Sequence, residues 1–159
     1  MEKATFAAGC FWHVESSLRQ VPGVVDAVCG YAGGHLSEPT YEQVCSDKTG
    51  HAEVVEVTFD PAKVSYAQLV DAFFASHDPT TVNRQGPDVG TQYRSAIFTH
   101  SPEQERVARE KKAALEKAGT FKRPIVTTIE PAPTFWRAEE YHQRYFEKNN
   151  MATCASFPE

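Results

Sequence analysis

The stretch His51-Ala52-Glu53-Val54-Val55-Glu56-Val57-Thr58-Phe59 is the clearest indication of the fold, because its side chains alternate between two faces. The pair Asp60-Pro61 ends this predicted strand, and the capping box Ser65-Tyr66-Ala67-Gln68 begins a helix shortly afterwards. That helix places its apolar side chains on one face over residues 69–77. The stretch therefore predicts a strand followed by an amphipathic helix.

The segments on either side continue the alternation of strands and helices. Residues 3–8 predict a strand that ends at Gly9, and apolar residues at helical spacing predict a helix from Phe11 to Pro22-Gly23. Residues 24–31 and 91–99 predict two further strands. The resulting order βαββαβ is typical of ferredoxin-like sandwiches. We therefore predict an α+β fold, a two-layer split βαβ sandwich.

Three more elements follow this predicted core. Ser101-Pro102-Glu103-Gln104 and Gly119 are the expected boundaries of a helix. A fifth strand is predicted near Ile125–Glu130, and a last helix from Ala138 to about Asn149. We predict one catalytic domain over residues 1–148 and a mobile C-terminal tail over residues 149–159.

Composition excludes several classes of protein. The chain has 159 residues, 41% hydrophobic and 23% charged, which is close to the average for globular domains and unlike disordered or coiled-coil sequences. Its net charge of -5 argues against nucleic acid or an anionic membrane as the main partner. The first residues carry no targeting signal, so we expect a cytoplasmic protein with reduced thiols. We also expect a monomer.

Cys10 is the first candidate for chemistry, because Gly9-Cys10-Phe11-Trp12 lies where a strand gives way to a helix. A helix N-terminus stabilises an anion, so a thiol there is expected to have a lowered pKa. The alternative is a buried cysteine of the core. Trp12 falls off the apolar stripe of the helix and is the better candidate for an exposed aromatic wall.

Glu53 is the second candidate, because it begins the strand face that continues with Val55, Val57 and Phe59. A carboxyl at the end of an apolar face loses solvation, which raises its pKa and favours the protonated form. Such a group can donate a proton at neutral pH. The alternative is that Glu53 simply reaches solvent at the end of the strand.

Other polar groups lie in loops or in the tail. The loop 83–93 is rich in hydrogen-bonding groups, and the phenol of Tyr41 either donates a hydrogen bond or packs as a ring. Cys154, on the predicted tail, has the mobility that a resolving cysteine needs. Cys29 and Cys45 lack this setting, and we predict that both are structural.

Three alternative functions stay open from the residues alone. The six histidines and four cysteines contain no C-x-x-C or H-x-x-x-H pair, so a metal site is a weak alternative. A cysteine hydrolase or acyl transferase would pair Cys10 with His51 or His142. A non-enzymatic module that binds RNA or a small ligand is the third alternative.

Several blocks of sequence occur in a fixed order over nearly the whole chain. They are Gly9-Cys10-Phe11-Trp12, Gly30-Tyr31-Ala32-Gly33-Gly34, Pro39-Thr40-Tyr41-Glu42, Thr49-Gly50-His51-Ala52-Glu53-Val54-Val55, Arg84-Gln85-Gly86-Pro87-Asp88-Val89-Gly90-Thr91-Gln92-Tyr93-Arg94-Ser95, and Ala138-Glu139-Glu140-Tyr141-His142-Gln143. With these blocks the chain resembles the type A peptide methionine sulfoxide reductases.

The resemblance implies reduction of methionine S-sulfoxide, free or in proteins, to methionine. It implies that Cys10 attacks the sulfoxide sulfur and that Glu53 protonates the sulfoxide oxygen. Tyr41 and Tyr93 would hydrogen-bond that oxygen, and Asp88 would support the site. Phe11 and Trp12 would form the apolar wall that receives the substrate methyl group.

The resemblance also implies how the thiol is recycled. Cys10 would become a sulfenic acid, and Cys154 would attack it to form a Cys10–Cys154 disulfide. Thioredoxin or a similar dithiol would reduce that disulfide, so the resemblance implies no metal, flavin or nucleotide cofactor. His13 stands where many members of the family have glycine after the Phe-Trp pair.

Overall fold

A computed structural model of the protein describes residues 1–148, so Cys154 and the predicted tail lie outside the described residues. The strands are β1 (Glu2–Ala8), β2 (Val24–Ala32), β3 (Ala52–Phe59), β4 (Arg84–Gln85), β5 (Asp88–Val89), β6 (Ser95–Thr99), β7 (Thr128–Pro131) and β8 (Trp136–Arg137). The α-helices are α1 (Phe11–Arg19), α2 (Tyr41–Cys45), α3 (Tyr66–Ala75), α4 (Pro102–Ala118) and α5 (Tyr145–Lys148).

The fold is a mixed α+β arrangement around a central sheet. The strand order is β7-β6-β1-β3-β2-β8, and β4 pairs with β5 in a separate small hairpin. From β6 to β8 each strand in this order is antiparallel to the next, whereas the edge strand β7 runs parallel to β6. Strands β1 and β3 are therefore central, and the two candidate residues Cys10 and Glu53 lie at or just beyond their ends.

One face of the sheet packs against helices α1 and α3. Its members include Phe6 of β1, Val55 and Val57 of β3, and apolar residues of both helices such as Leu18 and Leu69. The opposite face holds a smaller cluster of mostly small side chains from the same strands. Because side chains alternate along a strand, Glu53 lies on the helix-covered face with Val55 and Val57.

The helix boundaries follow the local sequence signals. Thr40 and Ser65 each accept a hydrogen bond from the backbone N–H three residues later, and each forms a capping box, as the sequence predicts at Ser65. Ser101 caps α4 ahead of Pro102, and Gly119 ends this helix in the left-handed conformation. These signals act over a few residues, so the sequence alone could identify them.

Three predicted elements were wrong in part. The expected last helix from Ala138 is not continuous, because residues 136–148 form the strand β8, the 3-10 turn Glu140–His142 and the short helix α5. Residues 91–93 form a 3-10 turn, so the fourth strand of the prediction begins only at Ser95. The strand expected near residues 125–130 is β7, which begins only at Thr128 and ends at Pro131. In the described part of the chain no helix is long and apolar enough to cross a membrane.

The predicted last helix does not form as one helix, because tertiary hydrogen bonds outweigh local helix propensity in residues 138–148. Arg144 adopts a left-handed backbone conformation with φ of 55°, which interrupts helical geometry. The side chain of Gln143 accepts from the backbone N–H of Cys29 at 2.9 Å and donates to its carbonyl at 3.0 Å. The segment therefore attaches to β2 through a side chain.

Candidate active site

Cys10 occupies the turn between β1 and α1, at the N-cap position of the helix. Gly9 makes this turn possible, since its φ is +95° and a Cβ there would lie 2.8 Å from side-chain carbons of Gln85. The Cys10 side chain is partly exposed. The turn thus presents a thiol at the end of a buried strand, as the sequence predicts.

Glu53 lies beside the start of the same helix. Its side chain is only 1% exposed, and its Oε1 accepts a hydrogen bond from the Phe11 N–H at 3.2 Å. Its Oε2 is buried and has no hydrogen-bond partner among the described residues. A second protein, substrate or solvent group is thus needed to satisfy this oxygen.

Burial raises the pKa of Glu53 from 4.5 to about 8, and the nearby negative charge of Asp88 acts in the same direction. The Phe11 N–H opposes them, because it stabilises the carboxylate. The prediction of a raised pKa is confirmed. At neutral pH the carboxyl is therefore mostly protonated and can donate a proton.

The predicted lowering of the Cys10 pKa is wrong. Burial, followed by the negative charge of Glu53, raises the pKa of the thiol from 9.0 to about 12, and Asp88 adds to this rise. The backbone N–H groups of Trp12 and His13 lower it, which is the effect expected of a helix N-terminus. Because Glu53 is itself largely protonated below its pKa of about 8, its repulsion of a thiolate is then largely absent.

Tyr41 begins α2, in the loop between β2 and β3, and Tyr93 ends the 3-10 turn in the loop between α3 and β6; both are half-buried. Burial and then the charge of Glu53 raise the pKa of each phenol, so both stay protonated and can donate hydrogen bonds. Asp47 joins the two loops, because its Oδ1 accepts from the Thr91 N–H at 3.0 Å and also from the Thr91 hydroxyl. The charge of Glu53 thus acts on the pKa of both phenols.

Asp88 is half-buried in β5, at the edge of this group. Its charge raises the pKa of Cys10, Glu53 and Tyr93. Asp88 therefore acts electrostatically on three of the predicted site residues, two of which lie far from it in the sequence.

An aromatic cluster adjoins this polar group. Phe11 is fully buried and its ring lies 6.1 Å from the ring of Tyr41, whereas Trp12 is partly exposed. The Tyr145 ring stacks on the Trp12 indole with centroids 3.8 Å apart, and His142 Nδ1 accepts from the Trp12 Nε1–H at 3.0 Å. Trp12 is thus the ring that a substrate can reach, whereas Phe11 belongs to the buried core against which Trp12 packs, so the prediction of an accessible Phe11 wall is wrong.

Sequence reasoning missed the parts played by His142, Tyr145 and Glu139. Glu139 accepts from the Tyr31 hydroxyl at 2.8 Å and from the Tyr41 backbone N–H at 2.9 Å, so it stabilises the start of α2. The block Ala138–Gln143 contributes to the resemblance, and His142 is also the possible partner of Cys10 in the hydrolase alternative. A signal was present in its density of aromatic and polar side chains, but an expected helix gave no reason to place them near Cys10.

The three cysteines of the described region have different environments. Cys29 is fully buried in the core, which confirms a structural part for it. Cys45 is exposed at the end of α2, so the prediction that it packs as a structural residue is wrong. The reason is that α2 is short and its buried side chain is Val44, which leaves Cys45 on the outer side.

The geometry gives no support to a cysteine–histidine pair. His51 Nδ1 accepts from the Gly34 N–H at 3.0 Å and its Nε2 bonds the Leu36 carbonyl at 2.7 Å, so both ring nitrogens are engaged in a loop. His142 uses Nδ1 to accept from Trp12. Within residues 1–148 no three or more His, Cys, Asp or Glu side chains are grouped so that they could hold a metal ion.

Comparison with known proteins shows the family of this chain. The family described as peptide methionine sulfoxide reductase matches residues 2–158. The chain belongs to this family. A relative from Methanoculleus marisnigri named peptide methionine sulfoxide reductase MsrA is 61% identical over 154 residues, covering 97% of this chain and 94% of the relative. The enzyme is therefore an oxidoreductase that reduces methionine sulfoxide by thiol chemistry.

Solved structures give the same result. Reduced Mxr1 from Saccharomyces cerevisiae has a TM-score of 0.87 and 39% identity, with 99% of this chain and 92% of Mxr1 covered. Mxr1 in complex with Trx2 has a TM-score of 0.63 and 28% identity, with 99% of this chain and 90% of that chain covered. The fold described above is thus similar to that of experimentally solved members.

Proposed function

We propose that Cys10 is the nucleophile and Glu53 the general acid in the reduction of methionine S-sulfoxide. The observation that carries this proposal is the buried Glu53 carboxyl, which accepts a hydrogen bond from the Phe11 N–H one residue after Cys10. Burial raises its pKa to about 8, which favours the proton-donating form at neutral pH. The sulfoxide oxygen is a poor leaving group until it is protonated, so an acid of this kind is what the reaction requires.

The proposed reaction is balanced. The Cys10 sulfur attacks the sulfoxide sulfur to form an S–S bond while Glu53 protonates the oxygen, whose bond to the substrate sulfur breaks. The hydroxide so released adds to the Cys10 sulfur as the S–S bond breaks, so methionine leaves and Cys10 becomes a sulfenic acid. The sulfoxide gains two electrons and Cys10 loses two. The net change is transfer of one oxygen atom from the substrate to the Cys10 thiol, and Glu53 recovers its proton from the thiol.

Two sets of groups would orient the substrate. The phenols of Tyr41 and Tyr93 would donate hydrogen bonds to the sulfoxide oxygen beside Glu53, and Asp88 would support this polar side. The partly exposed Trp12 ring would receive the methyl group, and the buried Phe11 ring belongs to the core against which Trp12 packs. Opposite walls of different polarity favour one sulfoxide epimer, which we assign as the S form.

Recycling would use a second thiol and an external dithiol. The Cys154 thiolate would attack the sulfenic acid to give a Cys10–Cys154 disulfide and water, and a thioredoxin-like dithiol would then reduce that disulfide. The similarity to an Mxr1 structure in complex with Trx2 supports this partner. Cys154 lies outside the described residues, and no metal or organic cofactor takes part in this proposal.

Four broader proposals accompany the mechanism. The order β6-β1-β3-β2 of antiparallel strands supports a ferredoxin-like core, to which β7 and β8 are additions. We also propose a single catalytic domain over residues 1–148, a monomeric enzyme and a cytoplasmic location.

The test is a single turnover without reductant, with the S and R sulfoxides of a methionine peptide supplied separately. Wild type should release about one methionine per enzyme from the S form and then contain a Cys10–Cys154 disulfide in peptide maps. Cys154→Ser should release the same amount but retain a sulfenic acid, trapped by dimedone. Release by Cys10→Ser, or from the R form alone, would overturn the proposal.

A further inference from the structure

Two buried polar side chains fasten the C-terminal segment 138–148 to the rest of the enzyme. Glu15 of α1 is 1% exposed and Gln143 is 5% exposed. Each bonds backbone groups that lie far away in the sequence, and neither belongs to the catalytic proposal. We refer to Glu15 and Gln143 together as the clasp.

Gln143 makes the first half of the clasp. Its amide accepts from the Cys29 N–H at 2.9 Å and donates to the Cys29 carbonyl at 3.0 Å, so it pairs with β2 in the way a neighbouring strand would. Its Nε2 also donates to the Ala138 carbonyl at 3.1 Å. The side chain therefore fixes both the segment and its distance from β2.

Glu15 makes the second half. Both of its carboxylate oxygens accept from the Arg144 N–H at 2.9 Å, and Oε2 also accepts from Arg19 Nε at 2.8 Å. Arg144 has a φ of 55°, a region that non-glycine residues seldom adopt. Hydrogen bonds to a charged acceptor are stronger than neutral ones, so Glu15 stabilises this unusual bend.

The residues next to the clasp are the ones that hold Trp12. His142 precedes Gln143, and it accepts the Trp12 Nε1–H at 3.0 Å. Tyr145 follows Arg144, and its ring stacks on the Trp12 indole at 3.8 Å with an angle of 7° between the planes. One edge and one face of the indole are thus fixed by residues whose backbone the clasp positions.

We propose that Glu15 and Gln143 are positioning residues that fix the Trp12 indole and thereby set the enzyme's selectivity for an S-methyl over a larger S-alkyl sulfoxide. The inference rests on the proposed function, in which Trp12 borders the substrate methyl group. A rigid pocket wall lowers kcat/KM for a substrate with one added methylene, commonly by 10-fold or more. A wall whose side chain can move accommodates the added methylene with a smaller loss.

The experiment compares methionine sulfoxide with its S-ethyl homologue, both as S epimers and with dithiothreitol as reductant. The measured quantity is the ratio of kcat/KM for the methyl substrate to that for the ethyl substrate. Because both substrates meet the same enzyme sample, loss of folded protein lowers both values and leaves the ratio unchanged. A role in stability alone therefore cannot move it.

Glu15→Ala and Gln143→Met should each lower this ratio, by roughly threefold, since they remove one half of the clasp. Glu15→Gln should stay near wild type, because the amide oxygen can still accept from the Arg144 N–H. Two controls should leave the ratio unchanged: Asp26→Asn removes the other carboxylate bonded to Arg19, and Ile97→Ala opens the core in β6. Trp12→Phe should lower the ratio most.

The outcomes separate the two proposals. A wild-type ratio in both Glu15→Ala and Gln143→Met, together with a lowered ratio in Trp12→Phe, would overturn the clasp and leave the proposed function standing. An equal fall in Ile97→Ala would also overturn it, because the effect would then come from general loosening of the core. An unchanged ratio in Trp12→Phe would refute the methyl wall itself, and the clasp would fall with it.

Discussion

Two regions meet at the candidate site, and they are held in different ways. Strands β1 and β3, which support Cys10 and Glu53, pair along five residues each and bury their apolar side chains completely. The C-terminal segment 138–148 has almost no backbone ladder, and side chains such as Gln143 and Glu15 supply its attachments. The proposed proton donor and nucleophile thus lie on the regular strands, whereas the position of Trp12 depends on individual side chains.

This difference in attachment predicts how substitutions in each region affect the enzyme. A ladder with a packed face spreads its stabilisation over many residues, and each buried apolar side chain adds to it. A segment fixed by a few hydrogen bonds loses a definite contact with each substitution. We therefore expect substitutions in the strands to affect chemistry or global stability, and substitutions in the segment to affect the shape of the substrate site.

The largest effect is expected on the rate of methionine release when the Glu53 carboxyl is replaced. Glu53→Gln keeps the shape and an oxygen for the Phe11 N–H but cannot donate an acidic proton, so the single-turnover rate of methionine release should fall roughly 10²–10⁴-fold. Rapid-quench measurement at neutral pH would record it. Glu56→Gln is the matched control, since Glu56 lies on the other face of β3 and pairs with Lys3 at 3.3 Å. A fall of less than threefold in Glu53→Gln would remove it from the acid role.

The next largest effect concerns the contribution of β1 and β3 to the free energy of unfolding. Phe6 is fully buried in β1 and its ring lies 5.2 Å from that of Phe73. Phe6→Ala should lower the free energy of unfolding by about 3–5 kcal/mol, because it removes a large buried side chain and leaves a cavity. Urea denaturation followed by circular dichroism measures this loss. A loss below about 1 kcal/mol would mean that the sheet core is less well packed than its burial indicates.

A smaller effect is expected in the C-terminal segment. His142→Phe leaves the Trp12 Nε1–H without its acceptor, which should cost about 1–3 kcal/mol of unfolding free energy. The same denaturation experiment applies, with Tyr141→Phe as a control, because Tyr141 is 56% exposed. If His142→Phe cost as much as Phe6→Ala, the contrast between the two regions would be wrong.

The same contrast decides what the sequence could predict. Glu53 was identified because a strand has a period of two, and that period alone put the carboxyl on the face of Val55 and Val57. The caps at Thr40 and Ser65 are equally local, since donor and acceptor are three residues apart. Features set by neighbours in the chain were therefore accessible, including the turn that carries Cys10.

Features set by distant contacts were not accessible. Gln143 meets Cys29 across 114 residues and Arg144 meets Glu15 across 129, so nothing near the segment indicated why a helix should break there. The prediction that the pKa of Cys10 is lowered was wrong for the same reason. The helix N-terminus was visible in the sequence, whereas the burial and the charges of Glu53 and Asp88 that outweigh it come from the tertiary fold.

The most direct test of the account is the titration of the Glu53 carboxyl itself. In enzyme labelled with ¹³C at the glutamate side-chain carboxyl, the Glu53 signal is identified as the one that disappears in Glu53→Gln. Because burial favours the neutral acid, its chemical shift should change with a midpoint near pH 8, so the group is protonated at neutral pH. A midpoint near the ordinary value of 4.5 would contradict the account, since Glu53 would then be a carboxylate with no proton to give.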